Sequence, residues 1–373
     1  MVLFLPRTKL GLPRLVFSGK IQALSRPITL EGEGVNEYGY HCAIMKYEKL
    51  PKIELHVHLD CSLSYRAVRQ LNSGISEDSY RKLFVAPPSC SDLKAYIAHA
   101  KPAIDLMQSK KGLEIASRDL VRQFAEDNVI YGEMRFAPLE HCNGSLSELD
   151  VVRVVERAVE KASREFQTEA FLILCSLRPY KPKDSLKVAH LAEEFKGSRV
   201  VGIDLAGDEL LDAGPHQSAF DFALENDIRR TCHAGEARGP ESVEEVLDQF
   251  KPHRIGHGVR SLESEKTVKR LLKEQIHLEV CPTSNLLTGI YDRMESHGIR
   301  LLRDKGVSLS VNTDGRAISD VTLTDEWNKL HHALAFDKAD FFHFNCCAID
   351  NAFAPASVIE KTAARLKKEW LLG

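Results

Sequence analysis

His56 and His58 stand two residues apart in the run Lys-Ile-Glu-Leu-His-Val-His-Leu-Asp, residues 52–60. Aliphatic residues alternate with polar ones there, so the run reads as a β-strand. Residues i and i+2 of a strand share a face. Two imidazoles therefore project side by side from one short, rigid element. Neutral imidazole nitrogen is a good ligand for Zn²⁺, and such a pair could be half of a metal site. Taken alone, it also has a packing explanation. The two readings separate on whether further histidines and acids end later strands.

Such residues do recur. Gly207, Asp208 and Glu209 follow one apolar run, and His-Ala-Gly-Glu closes another with His233 and Glu236. His257 ends a third in Arg-Ile-Gly-His-Gly, and Asp314 a fourth in Asn-Thr-Asp-Gly. Each has a plainer alternative. His257 between two glycines could be a loop histidine, and Asp314 before Gly315 a turn residue. His233 and Glu236 could be a strand end followed by a helix-capping carboxylate. Together, His56, His58, His233 and Asp314 supply three imidazoles and a carboxylate, a donor set suited to catalytic Zn²⁺. The run 201–209 contains no lysine that could bridge two ions, so one metal is expected. A single Zn²⁺ acidifies its water towards neutral pH. Glu236 is near enough to His233 in sequence to stand beside the metal without binding it. His253, His277, His331 and His332 fit no such position and read as structural. So do Glu133 and Arg135, with a role at a barrel mouth as the alternative.

These residues need a scaffold that brings distant strand ends together. Strand-like runs occupy 53–59, 129–138, 169–178, 200–207, 229–236, 254–259, 277–285 and 307–315. Amphipathic helical segments lie between them, clearest at 150–166, 241–250 and 265–275. Near-continuous apolar strands alternating with helices imply a parallel sheet covered by helices. Eight such units give the α/β class and a closed (β/α)₈ TIM-type barrel, whose strands all end at one mouth. An open doubly wound sheet is the competitor, but no Gly-x-Gly-x-x-Gly follows any of these strands. Residues 60–128 exceed one crossover and read as a helical insertion after the first strand, a flap over the mouth. Residues 322–371 read as helical.

Composition narrows the function classes. The 373 residues carry a net charge of −3, which gives no general attraction to nucleic acid. No apolar run approaches the roughly 18–20 residues needed to span a membrane. The nine cysteines include no Cys-x-x-Cys pair and several lie in apolar runs, which points to a reducing, cytoplasmic setting. No obligate protein partner is evident. Before the first acid, Glu31, come Arg7, Lys9, Arg14, Lys20 and Arg26, interrupted by Pro6, Pro13 and Pro27. Residues 1–45 thus read as a poorly ordered or organelle-targeting extension, and 46–373 as one barrel domain.

Six motifs, in order, are similar to those of the adenosine deaminases. They are Leu-Pro-Lys-Ile-Glu-Leu-His-Val-His-Leu-Asp (50–60), Gly-Ile-Asp-Leu-Ala-Gly-Asp-Glu (202–209), His-Ala-Gly-Glu (233–236), Arg-Ile-Gly-His-Gly (254–258), Leu-Glu-Val-Cys-Pro (278–282) and Ser-Val-Asn-Thr-Asp (310–314). The resemblance implies a mononuclear zinc barrel that hydrolyses a purine nucleoside, replacing the 6-amino group with oxygen. It implies zinc ligands at His56, His58, His233 and Asp314, and an acid for purine N1 at Glu236. It makes His257 the residue that orients the attacking water and takes its proton. Gly207 would donate a backbone N–H to purine N3, and Asp60 would bind ribose hydroxyls. An N6-substituted AMP, adenine, or an ester or amide in a zinc hydrolase are the alternative substrates.

Two departures stand out. Gly315 replaces the second acid that many members use at purine N7, and Cys61 replaces a usual glycine. Arg316 could meet a phosphate, or be a surface arginine capping carbonyls.

Overall fold

The structure, a computed structural model, describes residues 47–372. The expectation for residues 1–45 lies outside the described residues. Eight strands follow one another: β1 (Lys52–His58), β2 (Val129–Phe136), β3 (Glu169–Leu177), β4 (Val200–Ala206), β5 (Arg229–Ala234), β6 (Arg254–His257), β7 (His277–Val280) and β8 (Leu309–Val311). Each pairs in parallel with the next. A parallel bridge between Val57 and Asp314 joins the last strand to the first. Two hydrogen bonds make that seam: His58 N to Asp314 O at 2.6 Å, and Asp314 N to His56 O at 3.0 Å. The result is the (β/α)₈ barrel that the alternation of apolar runs predicts.

The strands are buried almost end to end, because helices cover the outside and side chains fill the inside. The β7 run is shorter than its apolar stretch suggests. Proline has no N–H for the ladder and a φ suited to a first helical turn; Pro282 accordingly starts a helix, Pro282–Leu287. The regular run of β8 stops at Val311, but Asn312 N still donates to Val280 O at 2.8 Å and Asn312 Oδ1 accepts from Leu55 N at 2.9 Å.

The insertion after β1 holds five α-helices: Tyr65–Leu71, Glu77–Phe84, Leu93–Ile97, Lys101–Leu106 and Lys110–Glu126. Ser64, Ser76, Asp92 and Ser109 cap four of them through side-chain oxygens, which satisfies otherwise orphaned N–H groups. The proline-bearing turn between the second and third helices reaches across the mouth. Ala86 N donates to Ile318 O, and Cys90 N to Leu287 O, both at 2.8 Å. Ala86, Cys90, Leu93, Tyr96 and Ala100 pack there with Leu287 and Ile318. The flap is thus tied to the loops after β7 and β8. At the opposite end of β1, Asn345 from helix Lys338–Asp350 accepts from Ile53 N at 2.6 Å.

Candidate metal and catalytic site

The ends of β1, β5 and β8 bring four predicted ligands together. His56 is fully buried, and its Nδ1 meets Glu279 Oε2 at 2.9 Å. Its Nε2 has no hydrogen-bond partner among the described residues and lies 3.5 Å from Asp314 Oδ1. His58 Nε2 lies 3.5 Å from the same oxygen and 3.2 Å from His233 Nε2. His233 turns its Nδ1 to Asp204, 3.1 Å away. Histidines anchored at Nδ1 by carboxylates, with Nε2 atoms converging on a third carboxylate, are arranged as metal ligands are. A buried, unpartnered ring nitrogen costs about 1–3 kcal/mol, and a cation at the convergence point would remove that cost. Burial opposes a charge on Asp314, but the neighbouring His56 and the other surrounding imidazoles hold its pKa well below the usual range. The carboxylate is therefore ionised and ready to bind.

His257 joins the same group. Its ligand atom and those of His56, His233 and Asp314 all lie within 4.8 Å of one another. His257 and Asp314 have φ of 61° and 62°, a region costly for non-glycine residues. Two strained residues side by side at strand ends mark a site whose geometry is imposed by its surroundings.

Beneath the ligands lies a charged layer that motif reading did not single out. Arg135 bridges Asp204 Oδ2 at 3.0 Å and Glu279 Oε2 at 2.7 Å. Arg254 joins Glu279 Oε1 to Glu133 Oε2, both at 2.6 Å. All five side chains are fully buried. Burial works against the charges on Asp204 and Glu279. His233 and Arg135 outweigh it for Asp204, and Arg135 and Arg254 for Glu279, so both stay ionised. Glu133 and Arg135 belong to this interior layer. The available signal was a charged residue inside an otherwise apolar, buried strand.

Glu236 is buried, with Oε1 unpartnered among the described residues and Oε2 3.5 Å from His257 Nε2. Burial pushes its carboxyl well above the usual carboxylate range, and the charges of Asp314 and Glu209 act in the same direction. Glu209 builds the turn that carries it. Its carboxylate accepts from the backbone N of Gly235, Glu236, Ala237 and Arg238, at 2.6, 2.9, 2.5 and 3.1 Å.

Asp60 is buried just past β1, 4.0 Å from His58 Nδ1. Its Oδ2 accepts from Ala137 N at 3.4 Å and lies 3.7 Å from His141 Nε2. His141 is a further buried group that the sequence did not flag, and neither ring nitrogen has a hydrogen-bond partner among the described residues. Gly207 follows β4 directly at φ +94°, where a side chain would be strained.

The two departures from the deaminase pattern touch each other. A Cβ on Gly315 would lie 2.8 Å from Cys61 Cβ and 3.2 Å from Tyr96 Oη. Cys61 therefore occupies the room that a side chain at 315 would need. Arg316 corrects the expectation of a surface arginine. It is buried, its Nη2 pairs with Glu54 at 2.5 Å and Asp127 at 3.1 Å, and its Nε and Nη1 have no hydrogen-bond partner among the described residues. The remaining histidines hold scaffold positions. His277 bonds Ser308 and Ser310, His253 accepts from Arg230 N, and His331 and His332 lie in helix Leu323–Leu334.

Residues 51–369 match the family model described as adenosine deaminase. The adenosine deaminase of Enterococcus faecalis is 33% identical over 303 residues, which cover 79% of this chain and 89% of the relative. That of Mus musculus is 30% identical over 345 residues, covering 86% and 97%. Among solved structures, the Arabidopsis N6-mAMP deaminase has a TM-score of 0.77 at 25% identity, over 86% of this chain and 99% of its own. No helix among the described residues is long and apolar enough to cross a membrane.

Proposed function

This chain belongs to the adenosine deaminase family, and from that premise we propose that it hydrolyses adenosine and 2′-deoxyadenosine to inosine, 2′-deoxyinosine and ammonia. The observation that carries the reading is Glu236, a carboxyl whose burial pushes its pKa well above the usual carboxylate range, 3.5 Å from His257 beside a converging ligand set. Hydrolysis of an ester or amide has no need of a carboxylic acid placed for a ring nitrogen.

His56, His58, His233 and Asp314 would hold one Zn²⁺, which supplies a water acidified towards neutral pH. Glu236 donates its proton to purine N1, and C6 becomes electrophilic. His257 orients the attacking water through Nε2, the atom that faces Glu236. Asp314 keeps Oδ1 towards the histidines while Ser284 Oγ donates to its Oδ2 at 2.7 Å. Water adds to C6, the 6-amino group gains a proton, and ammonia leaves. Gly207 would donate its backbone N–H to purine N3, and Asp60 would accept from the ribose hydroxyls.

Adenine would leave Asp60 without a hydroxyl to bind. The N6-substituted AMP reading keeps the missing acid at Gly315 as support but is weakened where Arg316 is buried and pairs with Glu54 and Asp127. A substrate panel followed by ultraviolet absorbance, with metal analysis of the same sample, tests the proposal. Adenosine and 2′-deoxyadenosine should turn over, with one zinc per chain. Turnover of AMP with none of adenosine would overturn it.

A further inference from the structure

A chain of hydrogen bonds behind His257 fixes which of its ring nitrogens carries the proton. It starts at a group that can only donate, the backbone N–H of Ile299, which points at His297 Nδ1 from 3.1 Å. That Nδ1 must accept. His297 is buried, which pushes its pKa down to about 3, so the ring is neutral and holds one proton. The proton sits on Nε2. His297 Nε2 lies 3.2 Å from Asn285 Oδ1, a carbonyl oxygen that accepts it. The amide of Asn285 is thereby oriented, and its NH₂ group faces His257 Nδ1 at 3.0 Å. That nitrogen accepts in turn, and the single proton of neutral His257 is left on Nε2, the atom that faces Glu236 and the ligand cluster.

The supports of this chain are rigid. The ring of Tyr291 packs on His297 with centroids 4.4 Å apart. Asn285 lies in helix Pro282–Leu287, which also carries Ser284, the donor to Asp314. One helix thus sets both residues that face the attacking water.

We propose that Asn285 and His297 are positioning residues that lock neutral His257 as its Nε2–H tautomer, so that His257 meets the attacking water as a hydrogen-bond donor. A protonated Nε2 has no lone pair left to receive a proton, and the basic Nδ1 is turned away from the water towards Asn285. This revises the base role that the family resemblance gives His257. The reaction step rests on the deaminase reading; the tautomer does not.

The test is long-range ¹H–¹⁵N NMR of the zinc-loaded, ¹⁵N-histidine-labelled enzyme without substrate, with His257 identified by the signals missing from His257→Asn. The expected pattern is a protonated Nε2 and an unprotonated, hydrogen-bonded Nδ1. In Asn285→Asp the carboxylate can only accept, so the pattern should reverse. kcat should then fall about a hundred-fold, as when a preorganised donor is lost, with KM for adenosine within about threefold. A protonated Nδ1 in the parent enzyme, or an unchanged pattern in Asn285→Asp, would overturn the proposal. Should Asn285→Asp fail to fold, the parent spectrum decides alone. Failure of the deaminase reading would appear separately, as a correct tautomer in a protein that releases no ammonia from adenosine.

Discussion

Glu236→Gln should retain its metal and lose about a thousand-fold in kcat on adenosine, within the range of general acid catalysis. The substitution preserves shape and the ability to donate a hydrogen bond, but an amide cannot hand over a proton. In the proposed mechanism Glu236 acts in its protonated form. Its raised pKa keeps that form present at pH values where an exposed glutamate is ionised. Activity should therefore fall as pH rises through the folded-state value, and this alkaline limb should be absent from the residual rate of Glu236→Gln. KM should change little, because binding does not need the transfer. Rates measured across pH on metal-replete protein check both points, and a variant with the parent's kcat would remove the assigned role.

Arg135→Met should cost about 3–5 kcal/mol of stability, the usual penalty for stripping a partner from a buried ion pair. The guanidinium sits between Asp204 and Glu279 and also donates to Leu55 O at 2.7 Å. Without it, Asp204 keeps only His233 and weak donors, while Glu279 still has Arg254. Both carboxylates anchor ligand histidines, so zinc affinity should drop about 10- to 100-fold alongside stability. Urea unfolding of metal-free protein isolates the first effect, and competition with a chelator the second. An unfolding free energy within about 1 kcal/mol of the parent would contradict the stabilising role given to this layer.

The eight strands were legible because parallel strands buried on both faces read as unbroken apolar runs. The His56–His58 pair was legible because a strand repeats every two residues. Strand ends were less so: the apolar run at 277–285 continues through a residue, Pro282, that starts a helix. The charged interior was hidden for a different reason. Asp204 and Glu279 are single acids inside apolar stretches, and each finds its arginine only after the barrel has closed. Arg316 shows the same limit. Next to a glycine at a strand end it looks exposed, yet its partners Glu54 and Asp127 lie 262 and 189 residues away in sequence. The Asn285–His297 chain depends on donor and acceptor directions, which no residue pattern encodes.

Asp314 is at once a member of the ligand set and the residue whose backbone completes the seam between β8 and β1. An ion held by the proposed ligand set would be thermodynamically linked to the seam: whatever tightens one would stabilise the other, since free energy of metal binding to the folded chain is also folding free energy. On removing the metal with a chelator, amide exchange at His58 and Asp314 should quicken before it does at the buried centre of β3. Uniform protection would break the linkage. Faster exchange at the seam would make the metal a clasp as well as a reagent, and the barrel a ring whose fastening doubles as its catalytic centre.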